Sequence, residues 1–252
     1  MDIYYIFAGA TVGFIIGITG VGGGSLMTPL LVLGFHVQPA IAVGTDLLYA
    51  AITKAGGVYS HQKIKNIEWD IVKNLCLGSI PASVLSVLII QVFAISEEMF
   101  AQIISIILGI MLVITSFVII FKKKLSRLKS TDEPKTRSII ILGACLGILV
   151  TISSVGAGAI GSAILLILYP KMSSKQVVGT DIAHAVPLTA IAGLGHFHLG
   201  HIDFSLLTSL IIGSLPAVYF GTKIGKHIPD EILKNIIATI LMLMGIRFAI
   251  SY

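Results

Sequence analysis

Long apolar runs, nearly without charges, are the feature that most constrains this chain. Residues 98–121, for example, are almost purely apolar. Only 12% of all residues are charged, whereas a soluble domain carries about 25%, so we expect the chain to lie in a lipid bilayer. Backbone polar groups must be satisfied within the chain there, and each helical span needs about 20 residues. The sequence therefore predicts an all-α polytopic membrane protein with about eight transmembrane helices, at roughly 3–33, 40–59, 70–93, 98–121, 138–168, 176–197, 204–225 and 230–250.

A glycine-rich stretch interrupts the first of these segments. Residues 17–25 read Gly-Ile-Thr-Gly-Val-Gly-Gly-Gly-Ser, and glycine is a poor helix former, so we expect the first helix to be broken there and the fifth within 153–161. Unwound backbone at membrane depth lines a cavity or is buried in protein, and a helix start favours an anion. Close helix packing by small residues is the alternative. The substrate-binding candidates in the two breaks are Gly22, Gly23, Gly24, Ser25, Gly156 and Gly158.

The second half of the chain repeats the first. Val-Gly-Thr-Asp at 43–46 recurs at 178–181, and the Gly-Ser-x-Pro-Ala of 78–82 recurs at 213–217, both with an offset of 135 residues. A shared offset across several short matches is hard to obtain by chance. The sequence thus predicts two homologous four-helix repeats, at 1–121 and 138–252, joined by a loop at 122–137. That loop contains seven Lys or Arg residues, which places it in the cytoplasm by the positive-inside rule.

A few polar side chains fall inside the predicted spans. Asp46 and Asp181 end the duplicated motif close to predicted helix starts, where they either cap a helix or act as carboxylates within the bundle. Lys54 either reaches the interface or balances an anionic substrate. His184 lies one turn after Asp181 on the same helix face, and histidine titrates near neutrality. We predict Asp46, Asp181 and His184 as proton-coupling candidates, and Thr45, Lys54 and Thr180 as further substrate-binding candidates.

A histidine cluster supports a competing hypothesis. His196, His198 and His201 lie near Asp203, and histidines beside a carboxylate can ligate a transition metal. The alternative function is therefore a divalent-metal transporter or a metal-dependent membrane enzyme. The segment lies at a predicted helix end, where interfacial histidines are common, and its counterpart in the first half keeps only His61. The primary hypothesis accordingly includes no metal site.

The sequence contains no nucleophile–base pair, phosphate-binding loop or zinc signature. We therefore expect no enzymatic activity and no cofactor. The net charge of +5 is concentrated in the basic loop, which argues against nucleic-acid binding. The expected partners are the lipid bilayer and a small anionic substrate. The sequence does not decide whether the protein forms a homodimer.

The combined motifs resemble the sulfite exporter TauE/SafE family of membrane transporters. They comprise the glycine stretch at 17–25, Ala-Val-Gly-Thr-Asp-Leu at 42–47, Gly-Gly-Val-Tyr-Ser-His at 56–61 and Gly-Ser-Ile-Pro at 78–81, with their echoes in the second half. The resemblance covers essentially the whole chain. It implies a duplicated four-helix architecture that moves sulfite, sulfonates or similar small anions across the bacterial inner membrane. Export coupled to the membrane potential or to protons is the expected function.

Overall fold

The computed structural model describes residues 3–19, 24–93, 96–125, 134–225 and 230–251. Every regular element in these ranges is an α-helix, as the apolar runs predict. In chain order the helices are α1 (Ile3–Thr19), α2 (Gly24–Phe35), α3 (Pro39–Lys63), α4 (Trp69–Val92), α5 (Glu97–Leu125), α6 (Thr136–Ser153), α7 (Ala159–Leu168), α8 (Ser174–His198), α9 (Phe204–Gly225) and α10 (Asp230–Ser251).

Five helices within the described ranges are long and apolar enough to cross a membrane. They comprise Trp69–Val92, Glu97–Phe121, Thr136–Ser153, Ser174–His198 and Phe204–Gly221. The helix α1 and the described apolar part of α10 are shorter than a typical span. The helix α3 has 25 residues but contains Asp46, Lys54 and several polar residues near its end, which lowers its overall hydropathy. These findings establish a multi-pass helical membrane protein and leave the count of eight spans as a prediction.

The fifth predicted segment is broken where the sequence places its small residues. The helix α6 ends at Ser153 and α7 begins at Ala159. The backbone between them is left-handed at Ser154 (φ 56°), Gly156 (φ 118°) and Gly158 (φ 126°). Glycine adopts such angles at little cost, whereas a serine in this region is unusual. At the first predicted break, α1 ends at Thr19 and α2 begins at Gly24. Residues 20–23 between them lie outside the described residues.

Glycines allow two helix pairs to pack in very close contact. The helix α1 packs along α9, and α6 packs along α4. A Cβ added at Gly213 would meet backbone atoms of Ile6 and Ala10, and one added at Gly78 would meet those of Ile140 and Ala144. Small residues permit such approach in membranes. The two contacts are equivalent under the sequence repeat, since each joins the third helix of one predicted repeat to the first helix of the other.

The helices α3 and α8 pack against each other in the interior. Their bounds, Pro39–Lys63 and Ser174–His198, are separated by the 135 residues of the sequence offset at both ends. Asp46 and Asp181 are each the eighth residue of their helix. The helix-capping interpretation of these aspartates is therefore wrong, because α3 begins after Gln38 and α8 after Ser173.

Candidate functional site

Asp46 is a buried carboxylate that joins three parts of the chain. Its Oδ2 accepts hydrogen bonds from Thr28 Oγ1 at 2.6 Å and from Ser154 Oγ at 2.9 Å. Thr28 lies on α2, whereas Ser154 begins the break between α6 and α7. The Oδ1 atom is buried and has no hydrogen-bond partner among the described residues, which is costly for a carboxylate oxygen. Asp46 thus ties α3 to the break and keeps one oxygen available.

Lys54 lies on α3 three residues past the helix midpoint, about 4.5 Å along the axis. Its ammonium contacts the backbone carbonyl of Ala157, within the same break, at 3.4 Å. It also interacts electrostatically with the carboxylates of Asp181 and Asp46. A lysine at membrane depth is costly and almost always has such partners. This position favours the counterion interpretation of Lys54 over the interfacial one.

Asp181 and His184 lie on the same part of α8, as their spacing predicts. Asp181 is buried beside Gly161 of α7, whose added Cβ would meet its Oδ1. His184 is fully buried, and its Nε2 lies 2.8 Å from Ser79 Oγ of α4. Lys54 acts electrostatically on His184 as well. The structure therefore brings Asp46, Lys54, Asp181 and His184 into one polar cluster, which we call the Lys54 cluster.

Two of the predicted substrate-binding threonines have structural partners. Thr45 Oγ1 accepts the backbone N–H of Asp203 at 3.2 Å, just before α9. Thr180 Oγ1 accepts the backbone N–H of Glu68 at 3.0 Å, just before α4. These bonds satisfy donors at helix starts that lack a partner within the helix. They account for both threonines of the duplicated motif without a ligand.

The glycine candidates divide between described and undescribed parts of the chain. Gly22 and Gly23 lie outside the described residues. Gly24 is the first residue of α2, and Ser25 after it is buried. Gly156 and Gly158 lie in the break that contacts Lys54, directly before α7. The second break thus adjoins the Lys54 cluster.

The three histidines of the metal hypothesis are not assembled into one ligand set. His196 is fully buried, and its Nε2 lies 2.9 Å from the carbonyl of Thr151. His198 is exposed. The rings of His196 and His201 are 5.6 Å apart, and the ring of Phe100 stacks on both. Within the described ranges no three His, Cys, Asp or Glu side chains are grouped for a metal ion, which counts against the metal-dependent alternative.

A groove of about 290 Å³ lies elsewhere, between α4, α5 and α6. Its lining is apolar apart from Ser86 and includes Leu85, Ile89, Phe100 and Ile148. It contains no charged side chain and none of the cluster residues. This groove is therefore unsuited to an anion.

Sequence reasoning missed three residues that hold the cluster in place: Thr28, Ser154 and Ser79. Ser79 belongs to the duplicated Gly-Ser-x-Pro motif, which was a usable signal. Ser154 stands where the first glycine stretch has Gly20, and this hydroxyl in place of a glycine was a weak signal. For Thr28 the sequence carried no signal, because its bond to Asp46 depends on how α2 packs on α3.

Comparisons with known proteins agree with a transporter. The model of the family described as "Sulfite exporter TauE/SafE" matches residues 5–248. The chain is 35% identical over 254 residues to the "Probable membrane transporter protein YjnA" of Bacillus subtilis (strain 168), covering 98% of this chain and 99% of the relative. It is 30% identical to the "Probable membrane transporter protein YdhB" of the same organism, over 89% and 91% of the two chains.

A more distant relative comes from a different organism. The "Probable membrane transporter protein MJ0441" of Methanocaldococcus jannaschii is 27% identical over 257 residues, covering 93% of this chain and 92% of the relative. No solved structure gives a significant match. With a family match over nearly its whole length and buried charges that meet inside a bundle of apolar helices, the chain belongs to the sulfite exporter TauE/SafE family and is a multi-pass membrane transporter rather than an enzyme.

Proposed function

We propose that this transporter is a secondary transporter that exports a small sulfur-containing or organic anion, such as sulfite or a sulfonate, across the bacterial inner membrane. The description of the family supports the substrate class. The observation that carries the proposal is the position of Lys54, a cationic side chain in the middle of α3 that contacts the break between α6 and α7. Anionic groups are the natural ligands of such a cation.

The break supplies a second feature that suits an anion. The helix α7 begins at Ala159, and its N-cap residue Gly158 provides no side-chain cap. The first N–H groups of a helix have no partner within it, and the helix dipole is positive there. Transporters use broken helices in this way near the bilayer midplane. Lys54 and the start of α7 together make the second break the favoured anion position.

The two aspartates support a coupling proposal. One ammonium and two carboxylates sum to a charge of −1, so an added anion is accommodated better when one carboxylate is protonated. We therefore expect the anion and a proton to bind together, with Asp46, Asp181 and His184 as the proton-carrying candidates. A divalent anion carried with one proton still moves one negative charge, and the membrane potential favours its export by about 2.3 kcal/mol per 100 mV.

We also propose that the chain forms eight spans in two four-helix repeats. The equal spacing of α3 and α8 supports this division, as do the paired glycine contacts of α1 with α9 and of α6 with α4. The repeats are interleaved, because each contributes its first helix to the other. On this proposal the N-terminal parts of α3 and α8 meet the starts of α9 and α4, through Thr45 and Thr180 respectively.

The experiment is sulfite flux from proteoliposomes under an imposed potential. The informative variant is Lys54→Thr, because Thr189 occupies the equivalent place in the second repeat. The matched control is Lys73→Gln, which removes an exposed lysine at the start of α4. We expect Lys54→Thr to abolish flux and Lys73→Gln to retain it. Equal flux in the two variants would remove Lys54 from the site.

A further inference from the structure

The helices α1 and α2 turn the chain back on itself. They have 17 and 12 residues, so one continuous rod of both would separate its ends by about 43 Å. The rings of Tyr5, near the start of α1, and Phe35, the last residue of α2, are instead 5.5 Å apart between centroids. The start of α1 and the end of α2 therefore lie at the same end of the molecule, and we call this pair the first hairpin.

The helices α6 and α7 form a second hairpin. They have 18 and 10 residues, which would make a continuous rod of about 42 Å. Leu165, near the end of α7, nevertheless belongs to the same buried apolar cluster as Ile139, near the start of α6. That cluster also contains Val177 of α8, and Gly179 on the next part of α8 lies against His61 near the end of α3. The second hairpin thus opens at the end of the molecule where α3 ends.

The first hairpin opens at the opposite end of α3. Gly9 packs against Leu210 and Gly13 against Ser214, so α1 and α9 run parallel and their starts lie side by side. The hydroxyl of Thr45, near the start of α3, accepts the backbone N–H just before α9. The start of α1 therefore lies at the end of the molecule where α3 begins.

The helices α5 and α10 cross between these two ends in opposite directions. Glu97, the first residue of α5, accepts a hydrogen bond at 3.4 Å from the side chain of the residue just before α3. Ser116 bonds to the carbonyl of Ala238, and Gly109 lies near Gly245, so α10 is antiparallel to α5. The end of α5 and the start of α10 thus lie where the second hairpin opens.

The basic residues identify the cytoplasmic end. Every Lys and Arg in the described ranges except Lys54 and Arg247 lies in a loop, or in the terminal five residues of a helix, at the end where the second hairpin opens. They comprise Lys63, Lys65, Lys73, Lys122, Lys123, Lys124, Lys135, Arg137, Lys171, Lys175, Lys223 and Lys234. Cytoplasmic loops carry an excess of such residues. A single crossing at each break would instead move Lys171, Lys175 and Lys223 to the outer face.

We propose that the two repeats have opposite orientations in the membrane. The first hairpin enters from the outer face and the second from the cytoplasm, while α3, α4, α5, α8, α9 and α10 cross. Each repeat keeps its four proposed segments, but its first segment is a hairpin instead of a span, which changes the proposed eight spans to six. Asp46 bonds to both hairpins, through Thr28 and Ser154. A substrate held between the hairpins would be reached from the two faces in turn, as in other transporters with inverted repeats.

The first test labels introduced cysteines on intact spheroplasts with a membrane-impermeant maleimide, after the two native cysteines have been replaced by alanine. We expect His198→Cys to be labelled, and Lys171→Cys to be labelled only after permeabilisation; both native side chains are exposed. A chain that crossed at each break would give the reverse at both positions. The controls are Glu98→Cys, which is labelled in either arrangement, and Lys135→Cys, which is protected in either.

Ile3→Cys tests the first hairpin in the same way. The native side chain is exposed at the start of α1, so we expect labelling of intact spheroplasts. Protection of Ile3→Cys or of His198→Cys would overturn the inverted orientation, and so would labelling of Lys171→Cys before permeabilisation.

The second test leaves the transporter unsubstituted. Alkaline phosphatase is active only outside the cytoplasm, whereas green fluorescent protein exported in unfolded form stays dark, and each is fused after the last residue. Because α10 ends at the outer face on this proposal, we expect phosphatase activity and no fluorescence. Fluorescence without phosphatase activity would overturn the orientation, even if the cysteine variants failed to reach the membrane. Neither test involves a substrate, so a failure of the proposed anion transport in the sulfite flux assay would be distinguished from a wrong orientation.

Discussion

Replacing Gly78 by alanine tests the close packing of α4 on α6. A Cβ at this position would lie 2.7 Å from the backbone nitrogen of Ala144 and still closer to the carbonyl oxygen of Ile140. Both neighbours are backbone atoms of a helix, so they cannot move aside as a side chain would. The two helices must separate, which costs typically about 1–3 kcal/mol and occasionally more. We expect Gly78→Ala to destabilise the protein by at least this amount.

The repeat supplies a second variant and the chain supplies a control. Gly213→Ala should be as harmful as Gly78→Ala, because its Cβ would meet the backbone of Ile6 and Ala10. A Cβ at Gly56, within α3, would meet nothing within 4 Å. Alanine is favoured over glycine inside a helix by up to about 1 kcal/mol, so Gly56→Ala should be neutral or stabilising.

The assay is the thermal unfolding of the three variants and the wild type in the same detergent. The predicted order of unfolding temperatures is Gly56→Ala at or above the wild type, with both other variants well below it. If Gly78→Ala unfolded at the same temperature as Gly56→Ala, the close approach of α4 and α6 would be wrong. If only one of Gly78→Ala and Gly213→Ala were harmful, the equivalence of the two helix pairs would be wrong.

Three further predictions concern individual side chains. Asp46→Asn keeps an oxygen that can accept a hydrogen bond from Thr28, but the asparagine side chain cannot exchange a proton. Sulfite flux should therefore lose its pH dependence in this variant. An unchanged pH profile would assign proton coupling to another group. Thr45→Val removes the acceptor for the Asp203 N–H and should lower stability by about 1–3 kcal/mol with little change in sulfite affinity; a loss of affinity with unchanged stability would restore its predicted substrate role. His198→Ala should leave both transport and the metal content of the purified protein unchanged, since this side chain is exposed, and a loss of stoichiometric bound metal would revive the metal-dependent alternative.

Local sequence signals predicted much of the fold. The apolar runs predicted the helices, and the small residues near 154–158 predicted the interruption between α6 and α7. The duplicated Val-Gly-Thr-Asp motif predicted the matching positions of Asp46 and Asp181. These features depend on the local composition and on the spacing of residues along the chain. They can therefore be predicted without knowing which helices pack together.

The helix partners could not be predicted in this way. Asp46 and Ser154 are 108 residues apart, and their contact exists only because α3 lies beside the second break. The duplicated threonines illustrate the same limit. Thr45 was expected beside a ligand, yet its hydroxyl holds the start of α9, because the sequence does not state which face of α3 turns toward the other repeat.

The most direct test of the central claim is the position of a bound substrate. Selenite is a sulfite analogue whose selenium can be located by anomalous diffraction from crystals of the wild-type protein. We expect a selenium peak next to the start of α7, with a selenite oxygen within about 4 Å of Lys54 Nζ, the distance of an ion pair. A peak elsewhere, with the Lys54 cluster unoccupied at saturating selenite, would contradict the central claim.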